Sequence, residues 1–218
     1  MDLLKPVDLY CERIGTGILA EPLNLVSNLM FVLCGLILLA KARKSPHKSN
    51  AVLIGWLIIL VGIGSGLFHA FANNWSQWAD IIPIVVLVIV YIYIFGRDVL
   101  GLSTLGTVSF YELLFLSSFG FIWLIPSEAV NGSNSYFGVA LTMGIIGIVD
   151  LKLRDSKKVL FATALFACSL TFRSIDNGLC YLFSSGTHFL WHILNALMLY
   201  LLGFRLLSNT SKPPEVKG

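Results

Sequence analysis

Seven apolar segments, each about as long as a bilayer is thick, determine what this chain can fold into. A helix needs roughly 20 apolar residues to cross the hydrocarbon core of a membrane. Charged residues make up only 12% of the chain, about half the usual share in a soluble domain. We therefore expect an all-α polytopic membrane bundle of seven transmembrane helices, at about 20–40, 50–71, 78–96, 105–125, 135–152, 158–177 and 187–207.

The segments between these spans are short and polar, which leaves no room for a second domain. We expect one membrane domain over residues 1–208, in which residues 1–19 form an extracytoplasmic N-terminal segment. Residues 209–218 are polar and contain two prolines, so they are predicted to be a disordered cytoplasmic tail.

The basic residues predict the orientation of the chain in the membrane. Twelve of the 15 lysines and arginines follow spans one, three, five and seven. Because basic loops stay in the cytoplasm, the N-terminus is expected outside and the C-terminus in the cytoplasm. No basic cluster falls on a soluble face, so we expect no nucleic-acid partner.

Three of the four histidines lie within apolar spans, where ionisable side chains are costly and by default functional. His188 and His192 are four residues apart and therefore share one helix face. His69 ends the second span, whereas His47 lies in a basic loop. The expected topology places the three buried histidines at one depth in the outer leaflet. Three imidazoles that bind Zn²⁺ leave a fourth position for water, as in catalytic zinc sites.

Two further polar residues share that depth and suggest chemistry. Asp80 begins the third span, and Ser65 lies one helical turn before His69. Zinc lowers the pKa of a bound water to about 7. Asp80 is expected to act as a general base and to return the proton to the leaving amine. Ser65 is expected to donate a hydrogen bond to the developing oxyanion or to hold the water.

Structural explanations exist for each of these residues taken alone. A single buried histidine is commonly a hydrogen-bonded structural residue, and Asp80 could cap the third helix. Ser65 could be a small packing residue in the stretch GIGSG. The end of span two and the starts of spans three and seven are distant in sequence but share one membrane depth, and this agreement favours the zinc site.

Several stretches resemble the alkaline ceramidase family, notably GSGLFHAFANNWSQWAD, FRSIDNGLC and GTHFLWHILNALMLYLL. The resemblance covers residues 8 to 203, and its motif falls on Ser65, His69, Asp80, His188 and His192. The family belongs to a superfamily of seven-helix zinc hydrolases that includes the progestin and adiponectin receptors. The resemblance implies hydrolysis of the amide of ceramide or a related N-acyl lipid to a sphingoid base and a fatty acid.

The resemblance also implies two features on the outer face. One is a calcium site, for which Asp8, Glu12 and Glu21 are the candidate ligands. Asp8 is displaced by one position and Ile14 replaces an asparagine of the family, so a solvated acidic segment is the alternative. The other is a Cys11–Cys180 disulfide. Separately, the spacing of Arg173 and Asp176 suits an ion pair on one helix face.

The leading functional hypothesis is therefore a zinc-dependent intramembrane amidase. The alternative is a seven-helix zinc-containing receptor or sensor of the same superfamily without turnover. A transporter is disfavoured because the residues that could bind a metal all lie in one leaflet, whereas a transport relay is spread across the bilayer. No internal repeat is evident either. We expect a membrane lipid as substrate, no obligatory protein partner, and a bacterial plasma membrane with the active site towards the extracytoplasmic leaflet.

Overall fold

A computed structural model describes residues 2–45 and 48–207 of the chain. Over these residues it contains seven helices that are long and apolar enough to cross a membrane, and its only β-type pairing is a single bridge between Pro6 and Asn73. The predicted all-α bundle of seven spans is thereby confirmed. The predicted tail over 209–218 and His47 lie outside the described residues.

The helices begin and end within a few residues of the predicted spans. The first span is built from two helices in succession, and the third continues into a π-helix over Phe95–Val99. Short 3₁₀ helices follow the fourth span, at Ser127–Val130, and the sixth span, at Asn177–Leu179. In chain order the α-helices are α1 (Pro22–Ser27), α2 (Leu29–Ala42), α3 (Lys48–Phe71), α4 (Asn74–Ile94), α5 (Thr104–Leu124), α6 (Asn134–Arg154), α7 (Lys158–Ile175) and α8 (His188–Leu206).

The break between α1 and α2 departs from the single predicted helix over 20–40. The Ser27 hydroxyl and the Asn28 amide both donate hydrogen bonds to the carbonyl oxygen of Asn24. Polar side chains of this kind compete with the helical backbone ladder and commonly bend or interrupt helices. The interruption leaves Ser27 directed into the bundle, where it is buried.

Neighbouring helices along the chain pack against each other, and α8 also packs on α2 and α3, which makes it the central helix. Close approach depends on glycine where backbones meet: a Cβ on Gly35 of α2 would lie 2.8 Å from the carbonyl oxygen of Gly55 on α3. Helix α5 is the least buried span and packs chiefly on α6, with few contacts to α4.

One end of the bundle, here called the histidine end, brings together the end of α3, the starts of α4 and α8, and the N-terminal segment. Residues 3–7 run alongside residues 72–75, with backbone hydrogen bonds such as that from Val7 N–H to Ala72 O at 2.8 Å. Asn73 and Ser76 form a reciprocal cap at the start of α4. The N-terminal segment therefore covers the histidine end.

The opposite end of the bundle contains a buried ion pair between α6 and α8. Arg205 donates to both carboxylate oxygens of Asp150, at 2.7 and 3.0 Å. Both residues are almost inaccessible to solvent. A paired guanidinium and carboxylate satisfy each other, which is the condition under which charges are tolerated at membrane depth.

Candidate metal centre and active-site pocket

The side chains of His69, His188 and His192 converge at the histidine end. They form a buried cluster in which one ring nitrogen of each lies within 4.8 Å of those of the other two. His69 Nε2 and His192 Nε2 are 3.1 Å apart. Two nitrogens on a tetrahedral zinc are separated by roughly 3.3 Å, given zinc–nitrogen bonds of about 2.0 Å. Helix α8 supplies two of the three rings from one face, and the last turn of α3 supplies the third.

For neutral rings, the hydrogen bonds on the far side of His69 and His192 determine which nitrogen carries the proton. His69 Nδ1 lies 2.6 Å from a carboxylate oxygen of Glu21, which can only accept, so Nδ1 is the donor. His192 Nδ1 lies 2.7 Å from Ser27 Oγ, and that hydroxyl already donates to Asn24 O. His192 Nδ1 is therefore also the donor. Both Nε2 atoms then present lone pairs to each other across 3.1 Å.

Two facing lone pairs repel unless a cation lies between them. Metal-binding histidines in proteins commonly donate their second ring N–H to a carboxylate or another oxygen, which orients the ring and fixes its tautomer. Glu21 and Ser27 supply this kind of support here. The chemistry of the three donors fits a divalent metal ion that prefers imidazole ligands, as zinc does.

His188 completes the cluster in a different environment. Its ring stacks on Tyr10, with ring centres 3.6 Å apart and planes inclined by 17°. Its Nδ1 is buried and has no hydrogen-bond partner among the described residues. A buried nitrogen without a partner is costly in an apolar interior. His188 Nδ1 thus differs from the Nδ1 atoms of His69 and His192, which have Glu21 and Ser27 as partners.

The N-terminus of α8 is held in place by Asp176. This fully buried carboxylate accepts hydrogen bonds from the backbone N–H groups of Thr187, His188 and Cys11, at 2.6, 3.0 and 3.0 Å. Gly186 lies against it in a left-handed conformation, and a Cβ at Gly186 would collide with the carboxylate. Asp176 thus joins the N-terminal segment to the helix that carries two of the histidines.

Asp176 does not pair with Arg173, contrary to the expectation from their spacing. Asp176 is the C-cap residue of α7 and keeps a helical backbone conformation, but its carboxylate is occupied by the three backbone N–H groups described above. Arg173 instead donates to Asn131 O at 2.9 Å and to Ser133 Oγ.

Asp80 and Ser65 face the same pocket as His188 and His192. Gly64 explains how α3 and α4 come close enough for this. A Cβ at Gly64 would collide with the carbonyl oxygen of Ala79 and would lie 3.4 Å from the Cα atom of Asp80. That carbonyl lacks its usual helical partner because residue 83 is proline and has no N–H.

The pocket is an apolar cavity of about 140 Å³ that extends from the histidines towards the other end of the bundle. Leu202 on α8, ten residues beyond His192, lines its far end, so the pocket follows α8 for roughly 15 Å. Its walls come mainly from α4, α6 and α8, with Leu114 as the contribution of α5. The charged side chains and the histidines lie at one end. Mainly aliphatic and aromatic side chains line the remainder, together with the polar residues Thr142 and Asn195.

The N-terminal segment is fastened over the cluster at several points. Cys11 and Cys180 are joined in a disulfide, with Cα atoms 5.3 Å apart. The Arg13 guanidinium donates to Glu21 and, at 2.8 Å, to the backbone oxygen of His69. Burial raises the pKa of the Tyr10 phenol well above its ordinary value. Tyr10 is therefore a neutral, buried ring that covers His188.

The structure gives no support to the expected calcium site. Glu12 accepts hydrogen bonds from the backbone N–H groups of Leu23 and Asn24 at 2.6 and 2.8 Å, and so caps α1. Glu21 binds Arg13, His69 and Asn24, while Asp8 is exposed. Among the described residues, the three histidines are the only group close enough to hold an ion. The carboxylate oxygens of Glu12 and Glu21 are occupied by internal donors, one of them the Arg13 guanidinium.

The charge on Glu21 is favoured by its surroundings. Burial works to raise its pKa, but hydrogen bonds from His69 and Asn24 and the positive charge of Arg13 outweigh burial and hold the pKa below its ordinary value. An ionised Glu21 carries no proton of its own, so it can accept the hydrogen bond that His69 Nδ1 donates. Glu21 was expected to be a calcium ligand, and no role in the site was expected for Tyr10, Arg13 or Ser27.

Comparison with known proteins agrees with this geometry. No curated protein matches the chain with a significant score. The Ceramidase family model matches residues 9–213, nearly the whole length. The chain therefore belongs to the ceramidase family.

Proposed function

We propose that this protein is a zinc-dependent intramembrane amidase that hydrolyses the amide bond of ceramide or a related N-acyl lipid. The observation that carries the proposal is the convergence of three buried histidines, in which His69 Nε2 and His192 Nε2 lie 3.1 Å apart. Membership of the ceramidase family supports an amide substrate with a lipid chain. The products are a fatty acid and a sphingoid base or another amine.

The three histidines would hold the zinc ion. When bound, zinc would act as a Lewis acid that lowers the pKa of water to about 7 and polarises a carbonyl group. Asp80 accepts the proton of the attacking water and returns it to the amide nitrogen as the carbon–nitrogen bond breaks. Ser65 donates a hydrogen bond to the carbonyl oxygen as negative charge develops there. Both residues face the pocket beside His188 and His192, which supports these roles.

The shape of the pocket suits a lipid amide. A long apolar wall leads away from the polar end, so an acyl chain can lie along α8 while its amide reaches the histidines. The N-terminal segment covers the histidine end, and α5 contacts α4 only lightly, so the substrate enters sideways from the bilayer between these helices. The positive-inside distribution of lysine and arginine supports an extracytoplasmic position for the histidine end and a C-terminus in the cytoplasm.

The test combines metal content with turnover in purified, detergent-solubilised protein. We expect about one zinc per chain and release of fatty acid from ceramide. Asp80→Asn should keep the metal and lose about 10²- to 10⁴-fold in turnover, the usual contribution of a general base. His188→Ala should lose both metal and turnover.

Asp98→Asn is the matched control, because Asp98 is a carboxylate at the opposite end of the bundle that accepts a hydrogen bond from Asn50. It should retain metal and activity. Wild-type turnover in both Asp80→Asn and His188→Ala would remove the mechanism. Stoichiometric zinc without hydrolysis of any N-acyl lipid would instead favour a receptor.

A further inference from the structure

Arg173 places a positive charge inside the pocket. It lies in the last turn of α7, at the histidine end, and its side chain lines the cavity together with Asp80 and His188. One guanidinium nitrogen donates to Asn131 O and Ser133 Oγ, and the other terminal nitrogen lies 3.4 Å from the Tyr10 hydroxyl. No carboxylate of residues 2–45 or 48–207 forms a salt bridge with it. The direct contacts of this cation are therefore with neutral groups, and the nearest charge that it faces is the Asp80 carboxylate in the same cavity.

Aromatic rings provide the rest of its surroundings. The guanidinium carbon lies 5.1 Å from the ring centre of Tyr136, 5.6 Å from that of Trp191 and 6.0 Å from that of Tyr10. Such rings attract a cation through their quadrupole, but less strongly than a counter-ion does. A charge removed from water without a partner is costly, and intramembrane charges usually pair. The Arg173 guanidinium has no counter-ion in direct contact and is therefore available to bind an anionic group.

The position of Arg173 relative to the histidines determines which part of a substrate it would meet. Tyr10 contacts both, with its ring centre 3.6 Å from that of His188 and 6.0 Å from the guanidinium carbon. The guanidinium therefore lies within about 10 Å of the His188 ring centre. It sits at the covered, polar end of the pocket, whereas the acyl chain extends towards Leu202 at the other end. The amine half of a bound amide is the half that reaches Arg173.

The net charge of the pocket also favours an anionic group on the ligand. Asp80 and Arg173 are the only charged side chains in its lining. Their charges cancel, and a divalent ion on the histidines leaves an excess of two positive charges. An excess of this kind, in an apolar surrounding, favours an anionic ligand over a neutral one.

We propose that Arg173 binds an anionic group on the amine half of the substrate, so that the preferred substrates are acidic N-acyl lipids such as N-acyl amino acids rather than neutral ceramide. This inference rests on the proposed amidase function and narrows its substrate class. A carboxylate a few bonds from the amide nitrogen would accept charge-assisted hydrogen bonds from the guanidinium, worth a factor of about 10 to 100 in affinity or kcat/KM.

The test compares two amides that differ only at this group. N-oleoylglycine ends in a carboxylate and N-oleoylethanolamine ends in a hydroxyl, while their acyl chains are the same. We expect the wild-type kcat/KM to be at least 10-fold higher for the acidic amide. Arg173→Gln should bring the ratio close to one, and Arg173→Lys should retain part of the preference because it keeps the charge without the planar donor pair. Arg97→Gln, which removes an arginine bonded to Leu102 O elsewhere, should keep the wild-type ratio.

Binding to the Asp80→Asn protein provides a readout without turnover. N-oleoylglycine should raise the melting temperature more than N-oleoylethanolamine, and adding Arg173→Gln should remove the difference. Free oleate is the third ligand. If oleate stabilises as much as N-oleoylglycine and loses this effect in Arg173→Gln, Arg173 binds the fatty-acid product and the substrate assignment is overturned.

The outcomes separate the two proposals. Equal kcat/KM for the two amides in the wild type, or an unchanged preference in Arg173→Gln, overturns the role of Arg173 and leaves the amidase intact. Failure of the wild type to hydrolyse either amide or ceramide removes the proposed function. In that case the melting temperatures with the acidic and neutral ligands still decide whether Arg173 binds an anion.

Discussion

Replacing Glu21 by glutamine tests whether the carboxylate next to His69 supports a metal centre. One oxygen of Glu21 accepts from Arg13, and the other accepts from His69 Nδ1 and from Asn24. Glutamine has the same shape but only one acceptor oxygen. If that oxygen faces His69, the amide N–H₂ faces the Arg13 guanidinium; if it faces Arg13, the N–H₂ faces His69 Nδ1. The first orientation leaves Arg13 Nε without its acceptor and gives His69 a neutral acceptor in place of a charged one. The second leaves both His69 Nδ1 and the Asn24 amide unpaired.

The expected cost follows from how such supporting bonds act on metals. Loss of a hydrogen bond behind a metal-binding histidine typically lowers metal affinity or activity by a factor of about 10 to 100. This corresponds to roughly 1.4 to 2.7 kcal/mol. We expect Glu21→Gln to weaken zinc binding by this factor at pH 7, measured by competition with a chelator of known affinity.

Glu12→Gln is the matched control for this experiment. Glu12 is a buried carboxylate in the same segment, but it accepts from backbone N–H groups at the start of α1 and has no bond to a histidine. Its replacement should lower thermal stability by about 1 kcal/mol, as loss of a helix cap does, with zinc affinity as in the wild type. Zinc affinity within twofold of wild type in Glu21→Gln, or an equal loss in Glu12→Gln, would refute the reasoning.

Three further predictions concern other parts of the molecule. Replacing Cys11 and Cys180 by serine should lower the free energy of unfolding by roughly 2 to 5 kcal/mol, because the bond closes a long loop; an unchanged melting temperature in oxidising buffer would contradict this. Leu202→Phe should fill the far end of the pocket and shift the preference in fatty-acid release assays towards shorter acyl chains, whereas an unaltered chain-length profile would exclude acyl binding there. Asp150→Asn should cost roughly 3 to 5 kcal/mol by leaving Arg205 unpaired, and most of this should be recovered in Asp150→Leu/Arg205→Met, as followed by thermal unfolding.

The seven spans were predictable because the membrane imposes one simple requirement. Every backbone polar group must be satisfied within its own segment, and a helix of about 20 apolar residues meets this condition without reference to any other part of the chain. The break after Ser27 was not predicted, since apolar residues continue on both sides. Its signal was the run of Asn24, Ser27 and Asn28 inside an otherwise apolar span.

The histidine cluster was predictable for a related reason. The four-residue spacing of His188 and His192 fixes one helix face, and the alternation of the spans fixes the depth of His69. Glu21 could be recognised as an unusual acid but not assigned to His69. Its environment depends on Arg13, eight residues away, and on how the N-terminal segment folds back over the bundle. Sequence spacing does not encode tertiary contacts of this kind.

Arg173 and Asp176 show the limit of local rules in a second way. Their spacing suits an ion pair, and the backbone of Asp176 is still helical. Asp176 instead binds the N–H groups at the start of the next helix, and Arg173 faces the cavity. Partners from other segments of the chain compete with a local pair, and residue spacing does not encode those partners.

The bonds around the three rings have a consequence for biosynthesis. Ser27 and Glu21 come from near the beginning of the chain, His69 from the first third, and His188 and His192 from the last helix. All three imidazoles are therefore available only after α8 has been translated. A metal ion held by the three histidines would bind after that step, and a nascent chain arrested before α8 would contain only one of the three.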